Sequence, residues 1–267
     1  MVEGPIRLAF LTSIRDVGGD DRVGQMVATK QGKRYMEGVV EHTLCETHPG
    51  GALHGLIKVI AIITDDRPKD LAACGYGVRP ERGKHWIFPL DTPCDDLGMP
   101  AKWIVENIPS DFRSVSKSDP LRPEAKREFE RKVLEFMRQN KIEILVSDHY
   151  MARIEFLINE EFGFYGRVLN IHPAVTNPDC PFCFRGPTPT ADALARARSG
   201  KVTRTGATLH LVNENFDDGP IIELAAPTPV HMLDTPEELR YRNYQMAKLP
   251  VFIRGIRKYI TETLPRM

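Results

Sequence analysis

Three features of this 267-residue chain predict an α/β protein with a doubly wound, mostly parallel sheet and a long insertion in its N-terminal half. Short apolar runs of strand length recur at residues 6–11, 56–63, 142–146 and 168–171, two-sided in their hydrophobicity as buried parallel strands are. Helix-length stretches separate several of them, the order that makes βαβ units and parallel sheets. Between Pro68 and Pro123 the chain turns rich in proline, glycine and charge, and is far longer than an ordinary connection.

Residues 6–11 suit a buried first strand. A polar loop holding Gly18, Gly19, Asp20, Asp21 and Arg22 follows, and a helix is expected from Val23 to about His42. Residues 56–63 form the next strand, closed by Thr64, Asp65, Asp66, Arg67 and Pro68. Inside the 68–123 stretch, residues 85–90 allow a third strand, which Pro89 confines to an edge or ends early. Residues 114–119 read as mobile. The stretch is expected to be an insertion or lid within a single domain over residues 1–267.

After Pro123 a helix is expected, because Phe129, Val133, Phe136 and Met137 recur at i, i+4, i+7 and i+8, one apolar face. The charged positions from Glu124 to Arg138 read as its solvated side. Strand 142–146 ends at Ser147, Asp148, His149, Tyr150 and Met151, and a short helix is expected before the strand that carries Asn170. A long loop from Pro173 to Pro189 precedes a helix near residues 190–199. Strands at 206–212 and 221–226 flank a turn at Asp217. Thr235, Pro236 and Glu238 combine an N-cap threonine, proline at the first helical position and glutamate three residues after the cap. Pro250 is expected to kink or break that last helix.

The bulk properties exclude several classes. Hydrophobic residues make up 42% and charged ones 27%, ordinary for a globular protein. Thirty-six basic residues balance thirty-six acidic ones and the pI is near 7.1, so no global field favours nucleic acid or anionic lipid. No apolar run approaches the roughly 18 residues of a membrane span, and no signal-peptide pattern opens the chain. Five cysteines do not read as a disulfide framework, and a reducing cytoplasm is the expected setting. The oligomeric state is left open.

The chemistry concentrates at Asn170 and His172. Side chains i and i+2 of a strand share a face, so the amide and the imidazole enter one pocket at a strand end, where doubly wound sheets bind ligands. On its own such a pair reads more often as hydrogen-bonded turn residues. Asp217 adds a carboxylate on a turn closed by Gly219 and Pro220. His210, inside a strand, reads as structural, and His149 leaves both readings open. Cys180 and Cys183 have C-x-x-C spacing but no second pair, so loop packing is favoured over a metal or redox role. Gly18 and Gly19 are not a dinucleotide fingerprint.

Taken in order, Asn170-Ile171-His172-Pro173, Phe184-Arg185-Gly186, Thr205-Gly206-Ala207-Thr208-Leu209-His210 and Phe216-Asp217-Asp218-Gly219-Pro220-Ile221-Ile222 resemble the formyltransferase family that uses 10-formyltetrahydrofolate. The resemblance covers about residues 142–226, with a looser echo in the first βαβ unit, and implies a Rossmann-like formyltransferase fold. It implies Asn170, His172 and Asp217 as the catalytic set, with Asp217 favoured over Asp218 because glycine follows it by two positions. Asn170 and His172 would stabilise the developing oxyanion, and Asp217 would hold His172 and help move the proton. The co-substrate 10-formyltetrahydrofolate would rest against Tyr150, Met151, Arg153 and Ile154, and against Val212, Asn213, Glu214, Asn215 and Phe216. No metal is expected.

The acceptor is expected to be a small-molecule amine. About forty residues after the last strand leave no room for the extra domain of the methionyl-tRNA branch. The loop after the first strand is longer and more acidic than the phosphate loop of the glycinamide ribonucleotide branch. Asp20 and Asp21 suit an ammonium, while Arg15, Arg22 or Arg185 suit a carboxylate. A hydroxyornithine-like acceptor of siderophore assembly is therefore favoured, with glycinamide ribonucleotide, hydrolysis of the formyl folate, and a non-enzymatic folate-binding module as alternatives.

Overall fold

The computed structural model describes residues 4–13, 23–73, 91–162, 164–201 and 203–264. Its centre is a seven-stranded sheet built from β1 (Ile6–Thr12), β4 (Ile57–Thr64), β5 (Val105–Asn107), β6 (Ile144–Ser147), β7 (Val168–His172), β8 (Thr203–Leu211) and β9 (Ile221–Val230). The strand order is β5-β4-β1-β6-β7-β8-β9. The strands from β5 through β7 are parallel, and β8 and β9 are added antiparallel. From β1 the chain builds outward to β5, then returns to build β6 and β7 on the other side. A topological switch point therefore lies between β1 and β6.

Alternation along the strands sends side chains into two apolar layers. Leu8 and Phe10 of β1 join Val146, Leu169, Leu209 and Phe252 in one. Ala9 and Leu11 join Ile63, Leu145, Val133 and Met137 in the other. The first layer is covered by α1 (Val39–Thr47) and α6 (Leu249–Lys258), the second by α3 (Arg122–Gln139). The remaining helices are α2 (Pro68–Ala73), α4 (Pro189–Arg198) and α5 (Pro236–Asn243).

Several expectations are corrected. The helix expected from Val23 to His42 is a hairpin, β2 (Met26–Thr29) against β3 (Gly32–Tyr35), followed by α1. Its two-residue turn at Lys30 and Gln31 ends on Gly32 at φ +98°, and Thr29 Oγ1 donates to the Gly32 carbonyl at 2.7 Å, a local alternative to helix. No regular α-helix leads into β7; Glu160–Phe162 makes a single 3₁₀ turn. Pro250 does not break the last helix. The chain passes through a wide π turn at Tyr244–Lys248, which shifts the hydrogen-bond register so that Pro250 falls in the first turn of α6. The charged side of α3 is not wholly solvated either: Glu130 is buried and accepts the N–H groups of Glu155, Phe156 and Leu157. The strand expected at residues 85–90 lies outside the described residues.

Within the 68–123 stretch, β5 forms the edge of the sheet beside β4. The stretch is tied down at Asp65, whose buried carboxylate accepts from Ser13, Ser110 and Arg113. The Arg113 guanidinium also lies 5.2 Å from the centre of the Tyr150 ring. Ends of β1, β4 and β6 are thereby joined to this stretch.

Candidate active site

Asn170 and His172 leave β7 on the face shared with Val168, while Leu169 and Ile171 go into the opposite apolar layer. The antiparallel pairing with β8 places His210 directly across from Asn170 and Thr208 across from His172. Thr208 Oγ1 donates to the Ala174 carbonyl at 2.9 Å and accepts from Thr176 N–H at 3.1 Å, fixing the loop as it leaves β7. Asn243 adds donors to the carbonyls of Pro173 and Gly206 at 2.9 and 2.8 Å. Gly206 has to be glycine: a Cβ there would sit 1.7 Å from the Ala225 carbonyl oxygen.

Asp217 enters from the β8–β9 turn in the left-handed conformation, φ +53°, which aspartate tolerates better than most residues. Gly219 makes that turn possible, because a Cβ there would lie 1.7 Å from the Leu211 carbonyl oxygen and 3.3 Å from His210 Nδ1. Asp217 Oδ1 lies 3.2 Å from His172 Nδ1 and 3.4 Å from Asn170 Nδ2, and Oδ2 accepts from Gly186 N–H at 3.0 Å. Burial opposes the charge on this carboxyl. Hydrogen bonds from His172 and the Gly186 N–H outweigh it and hold the group well below the usual carboxylate range. Asp218 points elsewhere, into an ion pair with Arg185.

His172 Nε2 lies 3.0 Å from the Phe184 carbonyl, so each ring nitrogen faces an acceptor. His210 Nδ1 faces the Leu211 carbonyl at 2.8 Å, which assigns its proton there and leaves Nε2 to accept from Asn170 Nδ2 at 3.1 Å. His210 has a structural role, and the register makes it the one that orients the Asn170 amide. The signal was available in the T-x-H spacing, which puts Thr208 and His210 on one face, but the opposite strand was not.

The residues expected to hold a folate fall into two groups. Met151, Arg153, Glu214, Asn215 and Phe216 are exposed, and the Arg153 guanidinium lies 5.2 Å from the centre of the Phe216 ring, joining the two stretches. Val212 and Asn213 are half-buried; Val212 N–H bonds to the Val168 carbonyl and Asn213 Oδ1 accepts from Asn215 N–H. Tyr150 and Ile154 point into the apolar layer, where Tyr150 stacks on Phe129, so only their backbone can face a ligand. Arg185 is engaged with Asp218 and the Thr176 carbonyl. Arg15, Asp20, Asp21 and Arg22 lie outside the described residues. Cys180 and Cys183 are free thiols within one turn, Cys183 N–H bonding to the Cys180 carbonyl.

A formyl transferase family model matches residues 90–254, more than half of the chain and every residue of this cluster. The chain belongs to the formyl transferase family. Over 128 residues, 48% of the chain, this formyl transferase is 29% identical to phosphoribosylglycinamide formyltransferase of Bacillus subtilis (strain 168). The match takes in 60% of that relative, so the chain spans less than two thirds of the curated protein's length. Among solved structures it is similar to PvdF of pyoverdin biosynthesis, an N10-formyltetrahydrofolate-dependent formyltransferase, with TM-score 0.86 and 26% identity over 97% of this chain and 100% of that one. A formyltetrahydrofolate deformylase from Pseudomonas syringae pv. tomato shares the fold at TM-score 0.59 and 19% identity, over 98% of this chain and 64% of that one. No helix of the described residues is long and apolar enough to cross a membrane.

Proposed function

We propose that this formyl transferase moves the formyl group of 10-formyltetrahydrofolate to the amine or hydroxylamine nitrogen of a small acceptor, hydroxyornithine-like rather than a ribonucleotide. The observation that carries the reaction is the contact of Asn170, His172 and Asp217 at the carboxyl end of β7. When bound, the folate supplies an electrophilic formyl carbon. Asn170 Nδ2 and His172 Nε2, which here face His210 and the Phe184 carbonyl, would turn as donors to the formyl oxygen and stabilise the charge that develops there. Asp217 stays ionised; it orients the imidazole and offsets positive charge as the attacking amine gives up its proton. The exposed Arg153–Phe216 edge next to Asp217 fits a flat heteroaromatic ring, with Met151 beside Arg153 along the chain.

The acceptor reading is supported by the likeness to PvdF of pyoverdin biosynthesis, which runs the length of both chains. The partial identity to a phosphoribosylglycinamide formyltransferase supports the second reading, glycinamide ribonucleotide as acceptor. The described cysteines are free thiols, in keeping with a reducing cytoplasm. Supplying 10-formyltetrahydrofolate with hydroxyornithine or glycinamide ribonucleotide separates the two acceptors; turnover of the ribonucleotide alone overturns the first. His172→Ala separates an enzyme, which loses transfer and keeps its fold, from a folate-binding module, which loses nothing.

A further inference from the structure

At the switch point between β1 and β6, one strand away from β7, the structure holds a small pocket that the transfer chemistry does not use. Thr12, Val23, Gly38, Val39, Val40, Asp148 and His149 line it. It has room for little more than one water-sized group. Thr12 is 1% exposed, and its Oγ1 has no hydrogen-bond partner among the described residues. A hydroxyl buried without a partner is costly and calls for a ligand group or a water.

Behind the pocket a closed ring of hydrogen bonds sets its polarity. Lys248 Nζ donates to Asp148 Oδ1 at 2.7 Å and to Tyr244 Oη at 2.9 Å; Tyr244 Oη lies 2.9 Å from His149 Nε2; His149 Nδ1 lies 3.1 Å from Asp148 Oδ2. Each donor in the ring meets an acceptor when His149 is neutral with its proton on Nδ1. Burial opposes the charge on Asp148, yet His149 and Lys248 hold its carboxyl well below the usual range. The ring also secures His149 at φ +61°, a left-handed backbone that a histidine adopts only when its surroundings impose it. Both ring nitrogens of His149 are thereby spent. The lining brings the unpartnered Thr12 hydroxyl and the Asp148 carboxylate together among three valines. No cationic side chain is in the described lining to meet a phosphate; Lys248 lies behind it, bonded to Asp148 and Tyr244.

From this we infer that Thr12 and Asp148 form a subsite for the ammonium group of an amino-acid acceptor, with His149 and Lys248 as positioning residues. The inference rests on the proposed acceptor class and sharpens it, because an acceptor-lined pocket receives an ammonium and rejects a ribonucleotide phosphate. Leu11 of β1 and Asn170 of β7 both lie in register with Ser147 of β6, so Thr12 stands about two strand spacings, ~10 Å, from Asn170 across the carboxyl ends of the sheet. An acceptor that reaches both lies across the carboxyl ends of β1, β6 and β7.

The test compares N5-hydroxyornithine with its analogue lacking the α-ammonium, on wild type, Thr12→Val and Thr12→Ser. Wild type should show a KM for the analogue raised by about ten- to a hundredfold, the worth of a buried hydrogen bond to a charged group. Thr12→Val should raise KM for hydroxyornithine, leave kcat and the folate KM unchanged, and erase most of the difference between the two substrates; Thr12→Ser should restore it. Equal discrimination by Thr12→Val and wild type overturns the subsite and assigns the pocket to a trapped water, while leaving the acceptor reading intact. If neither amine is formylated by wild type, the acceptor reading falls. Calorimetric titration of L-ornithine into wild type and Thr12→Val then decides the subsite, tighter binding to wild type supporting it and equal binding overturning it. Should Thr12→Val not fold, Val40→Leu fills the pocket from its apolar wall and is expected to erase the same discrimination; its failure to do so overturns the subsite.

Discussion

Two aspartates, Asp148 buried and Asp217 largely so, stand at neighbouring strand ends of the sheet, and they are neutralised in different ways. Asp148 pairs with a lysine that is itself 1% exposed, so a full positive charge is locked beside it. Among the described residues no lysine or arginine pairs with Asp217; the His172 imidazole, the Asn170 amide and the Gly186 N–H share the work. The difference agrees with the roles proposed for the two carboxylates. Hydrogen bonds from several weak donors can be redistributed as charge moves during a reaction, whereas a buried ion pair resists rearrangement because neither partner can be left alone. The β7–β8 end is built to respond to charge, and the β1–β6 end to hold still.

Breaking the responsive end should have the largest effect on function. His172→Ala or Asp217→Asn is expected to lower kcat by about 10²- to 10⁴-fold, the range for a lost positioned acid–base or oxyanion group, with circular dichroism unchanged. A variant that keeps within a few-fold of wild-type turnover would remove that residue from the site.

Breaking the rigid end should instead strike stability. Lys248→Met strands Asp148 and is expected to cost about 3–5 kcal/mol in denaturant unfolding, most of which Asp148→Leu should recover in the double variant. Both aspartates have folded-state pKa values below their unfolded ones. The stability they contribute is therefore present above about pH 4 and lost as pH falls below it. Acid titration of the double variant should show a shallower loss than wild type over that window; an identical curve would mean Asp148 is not held low.

Gly219→Ala tests the β8–β9 turn that carries Asp217 into the responsive end. The new Cβ meets backbone, so the turn has to move. A stability loss of about 1–3 kcal/mol is expected, with a fall in kcat because Asp217 moves with the turn. The smallest effect is expected at the mouth, where Arg185 and Asp218 are both more than a third exposed. Arg185→Ala should change stability by less than about 1 kcal/mol, and high salt should erase even that.

What the sequence determined by itself was local or periodic. The alternation that buries both faces of β1, β6 and β7, the face of α3, the capping box at Thr235 and the shared side of Asn170 and His172 depend on neighbours a few residues away. The resemblance added Asp217, and the turn chemistry of Gly219 and Pro220 explains how it reaches the pocket. Local patterns failed where two choices were close in energy, as at residues 23–42, where a hairpin closed by Gly32 displaced the expected helix. Tertiary structure alone decided the antiparallel addition of β8, which set His210 against Asn170. It also decided the left-handed turns of His149 and Asp217, and the meeting of Lys248 with Asp148 under Thr12. The physical reason is range: strand pairing and buried charge compensation join residues far apart in the chain, and no short window of sequence contains both partners.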